Sequence, residues 1–167
     1  MYFYMKKYES KSKWRDDGSV ADPPKGYYPR DLEKLEKVQY EHDFLSKTHE
    51  YQVGYMRKMN AIHGWIVKNC AGGEDDCSEV YISKEKLEEL LNICEQVKED
   101  HRKAPKLLPT TDGFFFGGTD YGDYYYVYVD YAIQLFTNIL EVIEKEEKEE
   151  KETPSWYRWE VYYQASW

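Results

Sequence analysis

Cysteine is scarce, with only Cys70, Cys77 and Cys94 in 167 residues. The number is odd and no two are closely paired, so no disulfide framework is expected and a reducing compartment fits best. With His101 the three could be read as a zinc set, but the two-residue spacing of a zinc knuckle is missing. Buried thiols are the simpler reading, and no metal or other cofactor is expected. Long apolar runs are lacking too. No stretch approaches the roughly 20 apolar residues of a membrane span, and no apolar leader is evident, so no membrane partner is expected. Basic residues are in deficit, 23 against 32 acidic ones, for a formal charge of -9. An overall negative field opposes phosphate neutralisation, so direct nucleic-acid binding is not expected. The run from Glu141 to Glu152 holds -4 of that charge, which leaves the body only moderately acidic and a local basic pocket open.

Aromatic residues are abundant, at 17% of the chain. That share argues against disorder, and the length suits a single domain over residues 1–167. The opening Tyr2-Phe3-Tyr4-Met5 reads as a strand. Residues 9–30, rich in Ser, Asp, Gly and Pro, read as a long loop whose Trp14, Tyr27 and Tyr28 could fold back on a neighbouring surface. A short helix is expected over Asp31–Val38. The main helix is expected from near Glu50 to Cys70, before Gly72-Gly73, with Tyr55, Met59, Ile62, Ile66 and Cys70 as its buried stripe.

Glu79 to Ile82 reads as a short strand, and Ser83 as the N-cap of a helix burying Leu87, Leu90, Leu91, Cys94 and Val97. This helix should end near Asp100. A long helix is expected from Tyr124 to about Glu150, with Val127, Tyr131, Leu135, Ile139 and Val142 or Ile143 inward, although Tyr124 to Val129 also has strand propensity. Residues 145–153 read as its solvated, charged end or a linker. Trp156 to Tyr163 again reads as a strand, suited to pair with the first. The expected class is α+β: a small antiparallel sheet including the N- and C-terminal strands, packed with three or four helices.

At about 100° per residue, Asn60 and His63 share one flank of the main helix, Arg57 lies further towards solvent, and Lys58 and Trp65 fall opposite. His63 is either a satisfied core imidazole or a ligand group; catalysis needs an orienting partner that the sequence does not place beside it. Arg57 offers a fork for phosphate or carboxylate, or pairs with surface acids. Phe114 to Phe116 between glycines form either core or a stacking wall. Asp112, Asp120 and Asp123 lack the spacing of a calcium loop.

The residues Arg57-Lys58-Met59-Asn60-Ala61-Ile62-His63-Gly64-Trp65, with Asp76-Cys77, Leu108-Pro109, Gly113-Phe114-Phe115-Phe116-Gly117, Tyr121 and the terminal Tyr162-Tyr163-Gln164-Ala165-Ser166-Trp167, resemble a family of small phage and prophage proteins of Firmicutes type. Some members carry a phosphoglycerate kinase label, but Gly113 to Gly118 has neither the kinase nor the Walker phosphate-loop spacing. The resemblance implies a phage accessory protein acting in the cytoplasm of a bacterial host.

The leading expectation is a non-catalytic, host-defence-countering protein that sequesters a small anionic or nucleotide-like ligand, with Arg57, Asn60, His63, Phe115 and Tyr121 as its binding residues. Subunits of a homo-oligomer could share such a site. The first alternative is an acidic inhibitor of a bacterial defence enzyme, similar to an anti-CRISPR protein or a nucleic-acid mimic. It requires Arg57, Asn60 and His63 to serve folding alone. The second is a metal-dependent hydrolase.

Overall fold

The computed structural model describes residues 1–10, 37–42, 46–113, 117–149 and 159–166. The fold is α+β. Five strands, β1 (Tyr2–Ser10), β2 (Lys37–His42), β3 (Ser46–Tyr55), β4 (Val80–Ile82) and β5 (Trp159–Gln164), form one antiparallel sheet in the order β2-β3-β1-β5-β4. The aromatic first strand is central and pairs with the last, so Phe3 lies opposite Tyr163 and Met5 opposite Val161. Strand β1 runs to Ser10, two residues into the expected loop; residues 11–30, with Trp14, Tyr27 and Tyr28, lie outside the described residues. So does the expected helix over Asp31–Val38, except that Lys37 and Val38 open β2.

Period-2 alternation divides the sheet into two faces. Phe3, Met5, Tyr51, Trp159, Val161, Tyr163 and Ile82 point inward and are buried. Lys7 is buried among them with its ammonium 4.9 Å from the Trp159 ring centre. Helices α1 (Asn60–Cys70), α2 (Lys84–Glu99) and α4 (Asp123–Glu149) share one core with this face, α2 lying along α4, while a 3-10 turn (His101–Lys103) and the one-turn α3 (Ala104–Leu107) connect the last two. Among the described residues no helix is long and apolar enough to cross a membrane.

Three elements follow their sequence signals. The Ser83 hydroxyl accepts from the Lys86 amide as the N-cap of α2, which ends at Glu99 and buries Leu87, Leu90, Cys94 and Val97. Strand β4 occupies Val80–Ile82. Helix α4 reaches Glu149, and its charged end carries a Lys148–Glu144 pair and a Lys84–Glu147 pair back to α2.

Two expectations are corrected. Residues from Glu50 to Tyr55 are strand, not helix, and α1 starts only at Asn60. Tyr55 and Met59 match a helical stripe by spacing alone. The β-rich Tyr51-Gln52-Val53-Gly54-Tyr55 gains a full ladder with β1, and Gly54 lets α4 close on the sheet, since a Cβ there would stand 2.4 Å from Leu135 Cδ2. Lys58, at φ 61, then turns the chain into α1.

The second correction concerns α4. Val127 is 63% exposed and Tyr131 37%, while Tyr125, Val129, Ala132, Phe136, Ile139 and Ile143 face the core. Steps of four residues advance a helix by about 40° beyond a full turn. A line through Val127, Tyr131, Leu135 and Ile139 therefore drifts around the cylinder, and only its later members reach the core.

The Cys94 side chain is fully buried on α2, and burial pushes its thiol up to about 12. Cys70 is half-buried and is also raised, mainly by burial. Iodoacetamide at pH 8 is therefore expected to leave Cys94 unmodified in the folded protein and to alkylate it once urea unfolds the chain; peptide mass mapping reads the order.

Candidate functional site

Helix α1 is the segment on which the polar candidates converge, and it is buried on nearly every side: Asn60, Ala61, Ile62, His63, Trp65 and Ile66 are all inaccessible. Trp65, on the flank opposite Asn60 and His63 by the wheel, is 9% exposed and carries the Lys86 ammonium 5.8 Å from its ring. The wheel assumed a helix with one solvent side. Here the sheet, α2 and two loops enclose it.

His63 is 1% exposed, and both of its ring nitrogens are engaged. Nε2 lies 3.0 Å from Asp75 Oδ2 and Nδ1 lies 2.8 Å from the Tyr163 hydroxyl. An ionised carboxylate only accepts, so Nε2 carries a hydrogen. In the neutral ring Nδ1 then accepts from Tyr163. Asp75 reaches the ring from the turn after α1, which Gly72 (φ 65), Gly73 (φ 89) and Cys77 (φ 65) bend tightly. That turn is also tied to β5, because the Gln164 amide donates to the Cys77 carbonyl at 3.2 Å.

Tyrosine, imidazole and carboxylate in series are the parts of a proton relay. Burial, and then Asp75, raise the Tyr163 hydroxyl far above its ordinary range, so it stays a neutral phenol. With Tyr163 and His63 both buried, the series holds β5, α1 and the following turn together.

Asn60 performs the same service for the glycine-rich loop. Its amide donates to the Gly118 carbonyl at 2.9 Å, and its carbonyl accepts from the Thr111 amide at 3.3 Å, so one side chain ties Thr111 to Gly118. Gly64 makes the approach feasible, since a Cβ there would fall 2.0 Å from Thr111 Oγ1. Tyr121 supports the loop base, its hydroxyl accepting from the Thr110 amide at 3.3 Å and its ring meeting Tyr125 edge-on at 5.1 Å. Asn60→Ala is expected to cost about 1–2 kcal/mol in urea unfolding and to speed amide exchange at Thr111.

Arg57 stands apart. It is exposed, as is Lys58, and its backbone amide bonds the Tyr128 hydroxyl. Phe115 lies outside the described residues. Thus Asn60 and Tyr121 meet at one loop, His63 faces another side, and Arg57 reaches solvent. Among the described residues no three His, Cys, Asp or Glu side chains converge as a metal group. His101, the fourth member of the zinc series, instead stacks on Tyr126 with ring centres 3.6 Å apart.

Two features escape a residue-by-residue reading. One is Asp75, 12 residues beyond His63, whose clue is an acidic turn placed by two glycines just after α1. The other is a belt of tyrosines. Tyr124 and Tyr128 stack edge-on at 5.2 Å on α4, and Tyr128 lies within electrostatic reach of Tyr55. The Tyr55 amide donates to the Tyr131 hydroxyl at 3.3 Å, and its ring lies 5.0 Å from Tyr2. Tyr2 stacks with Tyr4 at 6.2 Å on the outer face, Tyr4 pairs with Tyr162, and Tyr162 meets Tyr81 edge-on at 5.8 Å.

Eight tyrosines so connected run from α4, round the end of β3, to the outer face of β4. Tyr124 is 70% exposed, Tyr81 52% and Tyr55 46%. The alternation Tyr2, Tyr4 and the i, i+3, i+4, i+7 set Tyr124, Val127, Tyr128, Tyr131 are its sequence traces.

Compared with models of known families, with curated proteins and with solved structures, the chain matches none.

Proposed function

We propose that this protein is a non-enzymatic interaction protein that captures a partner protein through the tyrosine belt. In the phage setting that the sequence resemblance implies, the partner is a bacterial defence enzyme. The observation that carries this reading is the contrast between the two sets of residues. Asn60 and His63 of α1 are buried and spent on internal hydrogen bonds, whereas Tyr124, Val127, Tyr131, Tyr55 and Tyr81 are exposed beyond what folding requires. Tyrosine supplies large amphipathic contact area at low conformational cost, which is why it is enriched at protein interfaces. The acidic charge sets the sign of partner that is attracted.

A small-ligand reading keeps one favourable observation. Arg57 and Lys58 are exposed cations beside the glycine-rich loop, where a Cβ on Gly117 would stand 3.2 Å from Lys58 Cβ. Two experiments separate the readings. A pull-down from bacterial lysate with the tagged protein is expected to enrich one protein stoichiometrically, and isothermal titration with cyclic and ADP-ribose nucleotides is expected to give no heat. Nucleotide heat without a captured protein would reverse the order of the two.

A further inference from the structure

The outer face of the sheet says what the partner presents to it. Opposite residues of β1, β5 and β4 place Tyr4, Tyr162 and Tyr81 in one row, with Lys6 and Glu160 paired in the row beside it. The Lys6 ammonium sits 4.7 Å from the centre of the Tyr162 ring, 2.6 Å from Glu79 and 3.1 Å from Glu50. This is a cation held between an aromatic face and carboxylates.

The next ring along, Tyr81, also has carboxylates near it, Glu160 and Glu85. Tyr81 is the exposed member of the edge-on pair with Tyr162. The Tyr162 hydroxyl donates to Glu160 at 2.7 Å, which fixes that carboxylate beside the pair. Burial and then the nearby Glu160 and Glu85 carboxylates raise the Tyr81 hydroxyl above its ordinary range. Lys84, next to Glu85, forms its ion pairs with Glu147 and Glu88. Among the described residues no ammonium or guanidinium lies over Tyr81.

We infer that the sheet end of the belt, Tyr81 with Tyr162 and Glu160, seats an arginine side chain of the partner protein, repeating between molecules the arrangement that Lys6 makes within one. Arginine suits the seat better than lysine, since its planar guanidinium stacks on a ring while its edge forks to a carboxylate. Charge complementarity selects the occupant: Glu50 and Glu79 hold the Lys6 ammonium, while the Glu160 and Glu85 carboxylates lie near the Tyr81 ring, over which no cation sits among the described residues. The inference rests on the interaction reading above and specifies its partner as a protein with an arginine-bearing segment.

The test uses the whole protein, isotopically labelled, titrated with the peptide acetyl-(Gly-Arg)4-amide and with its citrulline counterpart, which keeps the shape and loses the charge. Saturable shifts confined to the Tyr81 and Tyr162 ring signals are expected with the arginine peptide only. Tyr81→Leu is expected to weaken binding about tenfold and Glu160→Gln about fivefold. Equal binding of the citrulline peptide, no saturation, or shifts spread over the acidic surface would overturn the seat. The variants' dispersed amide spectra check that they fold. A silent seat with Val127-dependent partner capture overturns the seat alone, whereas a saturable seat with capture indifferent to Val127 and Tyr131 overturns the interaction reading beneath it.

Discussion

His63→Ala is expected to destabilise the fold by about 3 kcal/mol, because it combines a core cavity with a stranded hydroxyl. The imidazole is 1% exposed and its Nδ1 lies 2.8 Å from the Tyr163 hydroxyl, which burial keeps from water. Asp75 behaves differently. Its side chain is about a third exposed, so water can replace the imidazole, and Asp75→Asn is expected to cost less than about 1 kcal/mol. Tyr163→Phe falls between the two. The double variant His63→Ala, Tyr163→Phe removes donor and acceptor together and is expected to cost clearly less than the sum of the single changes. Urea unfolding of the four variants measures all of this. A ligand or catalytic role for His63 would show the opposite profile, with stability little changed and a binding or turnover signal lost.

Val127→Asp combined with Tyr131→Ser is expected to leave the unfolding midpoint within a few degrees of the original and to weaken partner capture on the order of 100-fold. Val127 is 63% exposed, so the folded state loses little when it becomes polar. Hydration of a surface aspartate costs nothing comparable to a core change. In a complex the same position would be desolvated. A carboxylate forced into an apolar, tyrosine-lined contact then lacks a partner, and its desolvation is what abolishes binding. Separate measurement of melting and of affinity by biolayer interferometry distinguishes loss of surface from loss of fold.

Much of this architecture is legible in local patterns. The aromatic strands at either end of the sheet, the Ser83 cap and the α2 stripe each rest on a signal only a few residues long, and each appears where its pattern points. What is illegible depends on distant partners. Whether Tyr51 to Tyr55 became helix or strand was decided by β1, some 50 residues away, since both periods fit so short a stretch. The inward side of α4 does not follow every fourth residue from Val127, and Val127 and Tyr131 therefore lie at the surface. Asn60 and His63 are buried in α1 and hydrogen-bonded within the fold. Their partners, Gly118, Thr111, Tyr163 and Asp75, come from separate elements that no helical wheel contains.

The central claim is that the belt, rather than the polar edge of α1, is the working surface. The most direct measurement is a quantitative pull-down from one bacterial lysate with three tagged baits: the unaltered protein, the Val127→Asp, Tyr131→Ser variant, and Arg57→Ala. The account predicts that one protein is enriched equally by the unaltered bait and Arg57→Ala and is lost from the belt variant. Retention of that protein by the belt variant, together with its loss from Arg57→Ala, would contradict it.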